Sequence, residues 1–178
     1  MGKVVNIPDY LIRKACTDDI QELNTIYNNI IREGGATGNQ QPVSTASFTN
    51  WYHSHQEPPY YIFVIEIAGK PVGYFYFSPW RPGREAFAHT SELSFYLSTK
   101  HRGYGLGDIM VKQGITFAAD AGLKVLLSIV LEENNRSISL LKKHGFKEGG
   151  YFPGVAKIGS KISGQFILYY SLEKDFSI

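Results

Sequence analysis

Cysteine is almost missing from this sequence, since Cys16 is the only one in 178 residues. A single cysteine excludes an internal disulfide framework and is typical of a protein from a reducing compartment. Because Cys16 ends the first strand-like segment and no histidine lies near it, we predict that it is a packing residue. No apolar run reaches about 18 residues, the length of a membrane helix, and the N-terminus lacks the apolar core of a signal peptide. These absences predict a cytoplasmic protein that has no membrane partner.

Charge is scarce and evenly spread along the chain. Charged residues make up 19% of the sequence, the formal net charge is +2, and lysines and arginines are scattered. A nucleic-acid-binding protein usually shows a basic patch or stripe, so we expect no nucleic-acid partner. Aromatic residues are plentiful by contrast, at 14%. The length suits one domain, residues 1–178, with a single substantial core.

The pattern of apolar residues predicts an α/β (α+β) chain. Short alternating or continuous apolar runs indicate strands, and helical spacings lie between them. At the first helix, Asp18 and Gln21 are spaced like a capping box, and the Gly- and Ser-rich segment 154–164 predicts a loop between the last two strands. The economical fold is a mixed, mostly antiparallel central sheet with helices on both faces. The predicted strands are 10–16, 60–67, 71–78, one ending near 98, 125–131 and two within 146–172, and the predicted helices begin near 17, 44, 106 and 134.

The most informative stretch runs from Arg102 to Gly107, where three alternate glycines join a strand pattern to a helical one. Glycine lets backbone N–H groups crowd around a ligand, and a helix N-terminus adds partial positive charge, so this turn is suited to bind a phosphate. Arg102 adds a cation beside it. A P-loop is excluded because Asp108 and Ile109 follow the last glycine, and the G-x-G-x-G spacing departs from the dinucleotide fingerprint. A plain flexible connection is the alternative at this point.

Two motifs in the chain resemble the GNAT family of N-acetyltransferases. The pattern Arg-x-x-Gly-x-Gly at 102–107 resembles the acyl-CoA pyrophosphate loop of that family. Residues 132–146 resemble its second signature, in which an asparagine, here Asn134, opens a helix that a Gly-Phe pair closes. The runs Pro-Trp-Arg at 79–81, His-Thr-Ser-Glu at 89–92 and Phe-Tyr-Leu at 95–97 resemble the phosphinothricin/methionine sulfoximine N-acetyltransferase branch. The resemblance extends in order from Leu11 to about Phe176 and predicts the GNAT fold.

The resemblance implies acetyl transfer from acetyl-CoA to the primary amine of a small molecule, without a covalent enzyme intermediate and without a metal. The branch suggests an amino acid or an amino-acid analogue as the acceptor. The family places the cofactor strand along the pantetheine arm, where a backbone N–H can also stabilise an oxyanion, and it places the glycine turn around the pyrophosphate. Asn134 would bind pantetheine through its amide. The cofactor-binding residues implied in this way are Phe95, Tyr96, Leu97, Arg102, Gly103, Tyr104, Gly105, Leu106, Gly107, Asp108 and Asn134.

Glu92 is the predicted catalytic residue. A proton must leave the substrate ammonium before the amine can attack, and Glu92 matches the carboxylate of the branch. We predict that Glu92 is the general base, directly or through a water, and that partial burial raises its pKa toward neutrality. The alternative is that Glu92 only pairs with a cation such as Arg81 or His89. For His89 itself, a proton relay and a packed histidine are the two interpretations.

Trp80 and Arg81 stand where the branch lines its acceptor pocket. A guanidinium can bind a carboxylate through two parallel hydrogen bonds, which an amino-acid acceptor would require. The alternative for Arg81 is an ordinary exposed loop arginine.

Several positions depart from the family pattern. Leu141 stands where relatives carry the tyrosine or histidine that protonates the leaving thiolate, and His144 is no obvious substitute. A late Trp-x-Asp pattern is missing around Lys161 and Ser163, and the early loop 35–39 lacks an aromatic residue. The acceptor therefore stays open at this point. The competing hypotheses are an acetyltransferase for a protein or peptide amine and a non-catalytic acyl-CoA-binding module. Because members of the family often dimerise, a homodimer is a further expectation.

Overall fold

The computed structural model describes residues 7–173, which form a seven-stranded sheet packed against helices. The ends of the predicted domain, residues 1–6 and 174–178, lie outside the described residues. The strands are β1 (Leu11–Lys14), β2 (Ile62–Ile67), β3 (Lys70–Pro79), β4 (Thr90–Leu97), β5 (Val125–Leu131), β6 (Lys147–Ile158) and β7 (Lys161–Ser171). The α-helices are α1 (Ile20–Glu33), α2 (Thr45–His53), α3 (Leu106–Asp120) and α4 (Asn135–Lys143). The strand order is β1-β2-β3-β4-β5-β7-β6, and each neighbouring pair is antiparallel except β4 and β5.

Helices cover both faces of the sheet. On one face, α1 and α2 bury an apolar cluster that includes Leu23 and Phe48. On the other face, Met110 of α3 and Leu93 of β4 belong to a second buried cluster. Gly114 of α3 lies against Leu93, and a Cβ atom there would stand 3.0 Å from Leu93 Cδ1, so glycine permits this close approach. The predicted mixed sheet with helices on both faces is confirmed.

None of the helices within residues 7–173 combines the length and the apolar character needed to cross a membrane.

The sheet splits in its middle, between β4 and β5. These strands pair only from Thr90 to Glu92, opposite residues 125–127, and then separate. Beyond this point β4 keeps only β3 as a neighbour, and β5 keeps only β7. Ser128 stands at the fork, where its hydroxyl donates a hydrogen bond to the Leu93 carbonyl at 2.8 Å. The two strands therefore form the arms of a V.

The start of α1 is organised by Asp19, one residue after the predicted capping residue. The Asp19 carboxylate accepts hydrogen bonds from the Cys16 N–H at 2.8 Å and from two guanidinium nitrogens of Arg13 at 2.7 and 2.8 Å. The capping box of the structure pairs Cys16 with Asp19, so the predicted capping box from Asp18 to Gln21 is wrong by two residues. Burial alone would raise the pKa of Asp19, but the hydrogen bonds from Arg13 and Cys16 hold that pKa below its ordinary value.

We expect Asp19→Asn to lower the free energy of unfolding at neutral pH by about 1–3 kcal/mol, because it leaves buried donors poorly satisfied. A carboxyl with a depressed folded-state pKa stabilises the protein above its unfolded pKa, and this contribution is lost as the pH falls through the folded-state pKa. The difference between the two proteins should therefore shrink as the pH falls below about 4. Urea unfolding at several pH values measures this, with exposed Asp18→Asn as the control. A difference that does not change with pH would contradict the assignment.

Two further local predictions are wrong. Cys16 is exposed, so it is not a packing residue. Residues 154–164 do not form a loop but the far end of the β6–β7 hairpin, with Gly159 at φ +61° and Ser160 as its turn. The ladder register shifts between Phe152 and Ala156, and this irregularity accommodates residues that composition alone assigns to a loop.

Gln40 attaches the loop between α1 and α2 to this hairpin turn. Its Nε2 donates to the Lys157 carbonyl at 3.0 Å, and its Oε1 accepts from the Gly159 N–H at 2.8 Å. Both ends of one side-chain amide are therefore used, and two loops that are far apart in sequence are held together.

Candidate active site

The V between β4 and β5 opens into a cleft of about 350 Å³. The end of α1, the second half of β4, the glycine turn and the first turn of α4 meet there. The residues predicted from sequence that line this cleft are Phe95, Tyr96, Leu97, Arg102, Gly107 and Asn134. The remaining lining residues are Ile30, Glu33, Gly34, Gly35, Ala36, Glu133, Asn135, Arg136, Ser137 and Leu140.

The edge of β4 that faces the cleft presents backbone groups. Ser98 N–H donates to the Val72 carbonyl of β3 at 2.9 Å, and backbone groups alternate in direction along a strand. The N–H and C=O groups of Phe95 and Leu97 therefore point away from β3, into the space that β5 has left. Arg102 Nε donates to the Leu97 carbonyl at 3.3 Å. The strand thus offers hydrogen-bonding groups to an extended ligand in the cleft.

Two helix N-termini also point toward the cleft. α3 follows Gly105 at φ +79°, and the turn contains Gly103 at φ +87°, which are left-handed conformations that favour glycine. The helical hydrogen bonds of α3 begin with the Ile109 N–H donating to the Gly105 carbonyl, so the preceding amides of the helix have no intrahelical acceptor. Asn134 caps α4 by accepting from the Ser137 N–H at 3.2 Å. Both helix ends carry partial positive charge.

Other residues of the glycine turn have different surroundings. Tyr104 is exposed, and Leu106 is fully buried in the core. The Asp108 carboxylate accepts hydrogen bonds from Lys143 and from His144 Nε2, the latter at 3.1 Å, so it links α3 to α4. The structure does not bring these three side chains into the cleft.

Arg102 is paired with Glu33, a residue that the sequence did not single out. Arg102 Nη1 lies 2.8 Å from Glu33 Oε2, and the Thr99 hydroxyl also donates to this carboxylate. Burial alone would raise the pKa of Glu33, but the hydrogen bonds from Thr99 and Arg102 lower it. The two partners are 69 positions apart in sequence, so no local spacing could have revealed the pair. One wall of the cleft therefore holds a carboxylate next to its principal cation.

Glu92 is half-buried and lies on the face of β4 opposite to that of Leu93. Its Oε1 accepts a hydrogen bond from the Ser94 hydroxyl at 3.3 Å. Burial raises the pKa of Glu92, and this effect is partly offset by the Ser94 hydroxyl. No ion pair to Glu92 occurs among residues 7–173, and both Arg81 and His89 are exposed. The alternative that Glu92 merely pairs with one of these cations therefore has no support in the described contacts.

An aromatic chamber of about 170 Å³ lies under α1 and α2, on the same face of the sheet as Glu92. Rings from α1, α2, β3 and β4 form most of its wall, and Tyr96 also lines the cleft. Sequence reasoning missed the chamber, because its rings have the spacing of ordinary core residues. The aromatic chamber is lined by Tyr27, Asn39, Val43, Phe48, Trp51, Tyr74, Tyr76 and Tyr96.

His55 lies next to the chamber and packs against two of its rings. Its Nδ1 lies 2.9 Å from the Trp51 carbonyl, which can only accept, so Nδ1 donates and Nε2 accepts from the Ser78 hydroxyl at 3.0 Å. Burial lowers the pKa of His55, despite the opposing hydrogen bond to the Trp51 carbonyl, so the ring is neutral at physiological pH. Its ring contacts those of Trp51 and Tyr76, with centroids 4.8 and 5.3 Å apart.

Trp80 and Arg81, the predicted acceptor residues, lie in a separate depression together with Phe87. Arg81 is exposed, adopts φ +56° and places its guanidinium carbon 5.7 Å from the centre of the Phe87 ring. Leu141 is fully buried, as an apolar core residue would be. The structure therefore brings six of the residues predicted to bind the cofactor together in the cleft, but it does not join Arg81 to the chamber.

Comparison with known proteins gives consistent matches. The model of the acetyltransferase (GNAT) family matches residues 21–146. The L-methionine sulfoximine/L-methionine sulfone acetyltransferase of Pseudomonas aeruginosa is 33% identical over 147 residues, which cover 82% of this chain and 85% of that protein. The L-amino acid N-acyltransferase MnaT of Escherichia coli is 31% identical over 144 residues, which cover 81% and 83%. The solved structure of yncA from Salmonella typhimurium with its cofactor acetyl-CoA has a TM-score of 0.86 at 27% identity and covers 94% of this chain and 96% of that chain.

The family match spans well over half of the chain and includes both motifs that suggested the resemblance. The fold of the described residues is shared with the solved structure of yncA over nearly its whole length. The chain therefore belongs to the acetyltransferase (GNAT) family and is an N-acetyltransferase with the GNAT fold.

Proposed function

We propose that this protein transfers acetyl from acetyl-CoA to the primary amine of a small molecule, by direct attack within a ternary complex. The observation that carries the proposal is the cleft at the split of the sheet, which joins an exposed strand edge, two helix N-termini and Arg102. The two named relatives act on methionine sulfoximine or methionine sulfone and on L-amino acids. An amino acid or a close analogue is therefore the first acceptor class to test.

The cleft fits a pantetheine arm and a pyrophosphate at its two ends. The backbone of Phe95 to Leu97 would bind the arm as an added strand does, and Asn134, which caps α4, borders the same space. The amides from Gly103 to Asp108, with Arg102, would hold the pyrophosphate at the start of α3. Tyr104, Leu106 and Asp108 would contribute only their backbone amides, because their side chains do not enter the cleft.

Acetyl-CoA supplies the acetyl group as a thioester, and Glu92 would prepare the amine to receive it. A carboxylate with a raised pKa can accept a proton from the substrate ammonium near neutral pH, directly or through a water. A backbone N–H on the open edge of β4 would stabilise the oxyanion. Leu141 cannot donate a proton and His144 is engaged with Asp108, so water would protonate the leaving thiolate.

Release of CoA from acetyl-CoA in the presence of different amines tests the proposal. The panel should contain amino acids, amino-acid analogues, simple monoamines, polyamines and short peptides. Turnover with small amines supports the proposal, whereas turnover with peptides alone would favour a protein acetyltransferase. If acetyl-CoA raises the melting temperature but no amine releases CoA, the protein is an acyl-CoA-binding module.

Hydrogen exchange should locate the cofactor on β4. The amides of Phe95 and Leu97 have no strand partner on the cleft side, so we expect them to exchange faster in the free protein than the amides of Ser94 and Tyr96. Saturating acetyl-CoA should slow the exchange of Phe95 and Leu97 by at least about tenfold. Exchange resolved by residue with NMR measures this. Slowing confined to α3, with no change at β4, would contradict the proposed path of the pantetheine arm.

We also propose a single domain, a cytoplasmic location, no nucleic-acid partner and a homodimer. The homodimer is supported by exposed apolar side chains on the β6–β7 hairpin, namely Tyr151, Phe152, Val155 and Ile162. Sedimentation equilibrium of the wild-type protein and of a Phe152→Ser/Ile162→Ser variant tests it. A monomeric wild-type protein would remove the homodimer from the proposal.

A further inference from the structure

We infer that the aromatic chamber holds the apolar ring of the acceptor, and that the preferred acceptors are arylalkyl primary amines without a carboxylate. This inference rests on the proposed acetyl transfer, but its acceptor class differs from the amino acids and analogues on which the two named relatives act.

The volume of the chamber limits the size of its occupant. Its 170 Å³ is close to the roughly 150 Å³ of an engineered apolar cavity that binds benzene. One six-membered ring therefore fits, whereas a fused ring system with substituents does not. A linear polyamine would leave most of the aromatic wall without contacts.

The wall of the chamber suits a ring and disfavours a carboxylate. Its described lining contains six aromatic side chains and no Lys, Arg, His, Asp or Glu. The rings of Trp51 and Tyr76 meet edge to face at 4.8 Å, and those of Tyr27 and Tyr96 do so at 5.0 Å, which is a geometry that aromatic rings favour and that a further ring can extend. A carboxylate in this space would lose its hydration without gaining a cation.

The tyrosine hydroxyls do not change this conclusion. Burial raises the pKa of Tyr76 to about 12, with the hydrogen bond to Ser94 opposing the shift, and burial also raises the pKa of Tyr74 and of Tyr96. The phenols therefore stay neutral at any physiological pH. Their ring faces are electron-rich, so they also attract the ammonium end of an incoming amine.

The position of the chamber aligns its occupant with Glu92. In the β3–β4 ladder, Tyr96 faces Tyr74, Ser94 faces Tyr76, and Glu92 faces Ser78. Neighbouring positions on one face of a strand are about 7 Å apart, so Glu92 lies one such step along β4 from Ser94, which pairs with the chamber residue Tyr76. A ring in the chamber can therefore present an amine on a two-carbon arm toward Glu92. Tyr96 separates the chamber from the cofactor cleft, so the amine would arrive beside the thioester.

The first experiment compares four amines in acetyl-CoA turnover: 2-phenylethylamine, L-phenylalanine, L-methionine sulfoximine and n-propylamine. We expect kcat/KM for 2-phenylethylamine to exceed that for each of the other three by at least about tenfold. L-phenylalanine adds only a carboxylate, and n-propylamine replaces only the ring, by a methyl group, so each comparison isolates one part of the inference. A higher kcat/KM for L-phenylalanine or for methionine sulfoximine would overturn it.

A filling substitution tests the location. Val43→Phe places a ring inside the chamber. The Asn28 side-chain amide holds the loop through the backbone N–H and carbonyl of Val43, so these hydrogen bonds survive the change. We expect kcat/KM for 2-phenylethylamine to fall at least about tenfold, with little change for n-propylamine or in the melting-temperature rise caused by acetyl-CoA. Leu11→Phe, at an exposed position of β1, is the matched control. An equal loss for both amines would overturn the location.

A binding measurement separates this inference from the proposed function. In a Trp80→Phe background, Trp51 is the only tryptophan, and we expect 2-phenylethylamine to quench its fluorescence saturably while n-propylamine does not. Quenching without acetyl transfer to any amine would support the chamber as a ring-binding site and contradict the proposed transferase. Acetyl transfer without quenching and without preference for the ring would support the transferase and overturn the chamber.

Discussion

Glu92→Gln is expected to lower kcat by at least about tenfold near neutral pH and to leave the affinity for acetyl-CoA nearly unchanged. The amide has the shape of the carboxylate and can still accept the hydrogen bond from Ser94, but it cannot take a proton from the amine. Steady-state kinetics with the best acceptor from the panel and calorimetry with acetyl-CoA measure the two quantities. Exposed Glu22→Gln is the matched control. Equal turnover by Glu92→Gln and the wild type would remove Glu92 from the mechanism.

The pH profile adds a test that loss of structure would not imitate. Burial raises the pKa of Glu92 above its ordinary value, so the wild-type kcat/KM should fall as the pH drops through this raised pKa and the base becomes protonated. Glu92→Gln should lack this acidic limb and retain only the limb that reports the amine of the substrate. An identical acidic limb in both proteins would assign it to another group.

Arg102→Ala is expected to raise the Kd for acetyl-CoA by about 10- to 100-fold, while kcat at saturating acetyl-CoA stays close to the wild-type value. A hydrogen bond to a charged group contributes about 1.5–3 kcal/mol, which corresponds to this range. Isothermal titration calorimetry gives the Kd directly. Arg84→Ala, in an exposed loop, is the matched control. Unchanged affinity would place the pyrophosphate elsewhere.

The charge of Glu33 provides a second test of where the pyrophosphate binds. Once Arg102 is removed, the Glu33 carboxylate keeps only the Thr99 hydroxyl among its two side-chain donors and repels the pyrophosphate. We therefore expect Glu33→Gln/Arg102→Ala to bind acetyl-CoA more tightly than Arg102→Ala alone. Coupling between two neighbouring residues appears as non-additivity in such a cycle. If the two substitutions changed the free energy of acetyl-CoA binding additively, Glu33 would not interact with the bound pyrophosphate.

The proposed cofactor half of the site could be predicted from sequence because its parts are local. Glu92, the strand edge from Phe95 to Leu97 and the glycine turn follow one another within residues 92–107, and each has a chemical pattern of its own. Asn134 was recognisable as a helix cap for the same reason, and the structure confirms that cap. Apolar periodicity was enough to predict a mixed sheet with helices on both faces.

The proposed acceptor half could not be predicted because it is built from distant residues of ordinary type. Tyr27 and Trp51 have the spacing of core residues on their helices, and only the three-dimensional packing shows that a space remains between them. The pair of Glu33 with Arg102 has the same origin. The loop predicted at residues 154–164 was wrong for a different reason. Gly and Ser indicate a loop unless a neighbouring strand supplies partners for their backbone groups, as β7 does for β6.

The exposed thiol of Cys16 has a practical consequence for every assay that detects released CoA with a disulfide reagent. The chain carries one cysteine, it is exposed, and a free thiol reacts with such reagents as CoA itself does. Each enzyme molecule should therefore add one colour equivalent before any turnover, a background proportional to enzyme concentration. The same residue provides a single attachment point for a spectroscopic label next to the first turn of α1.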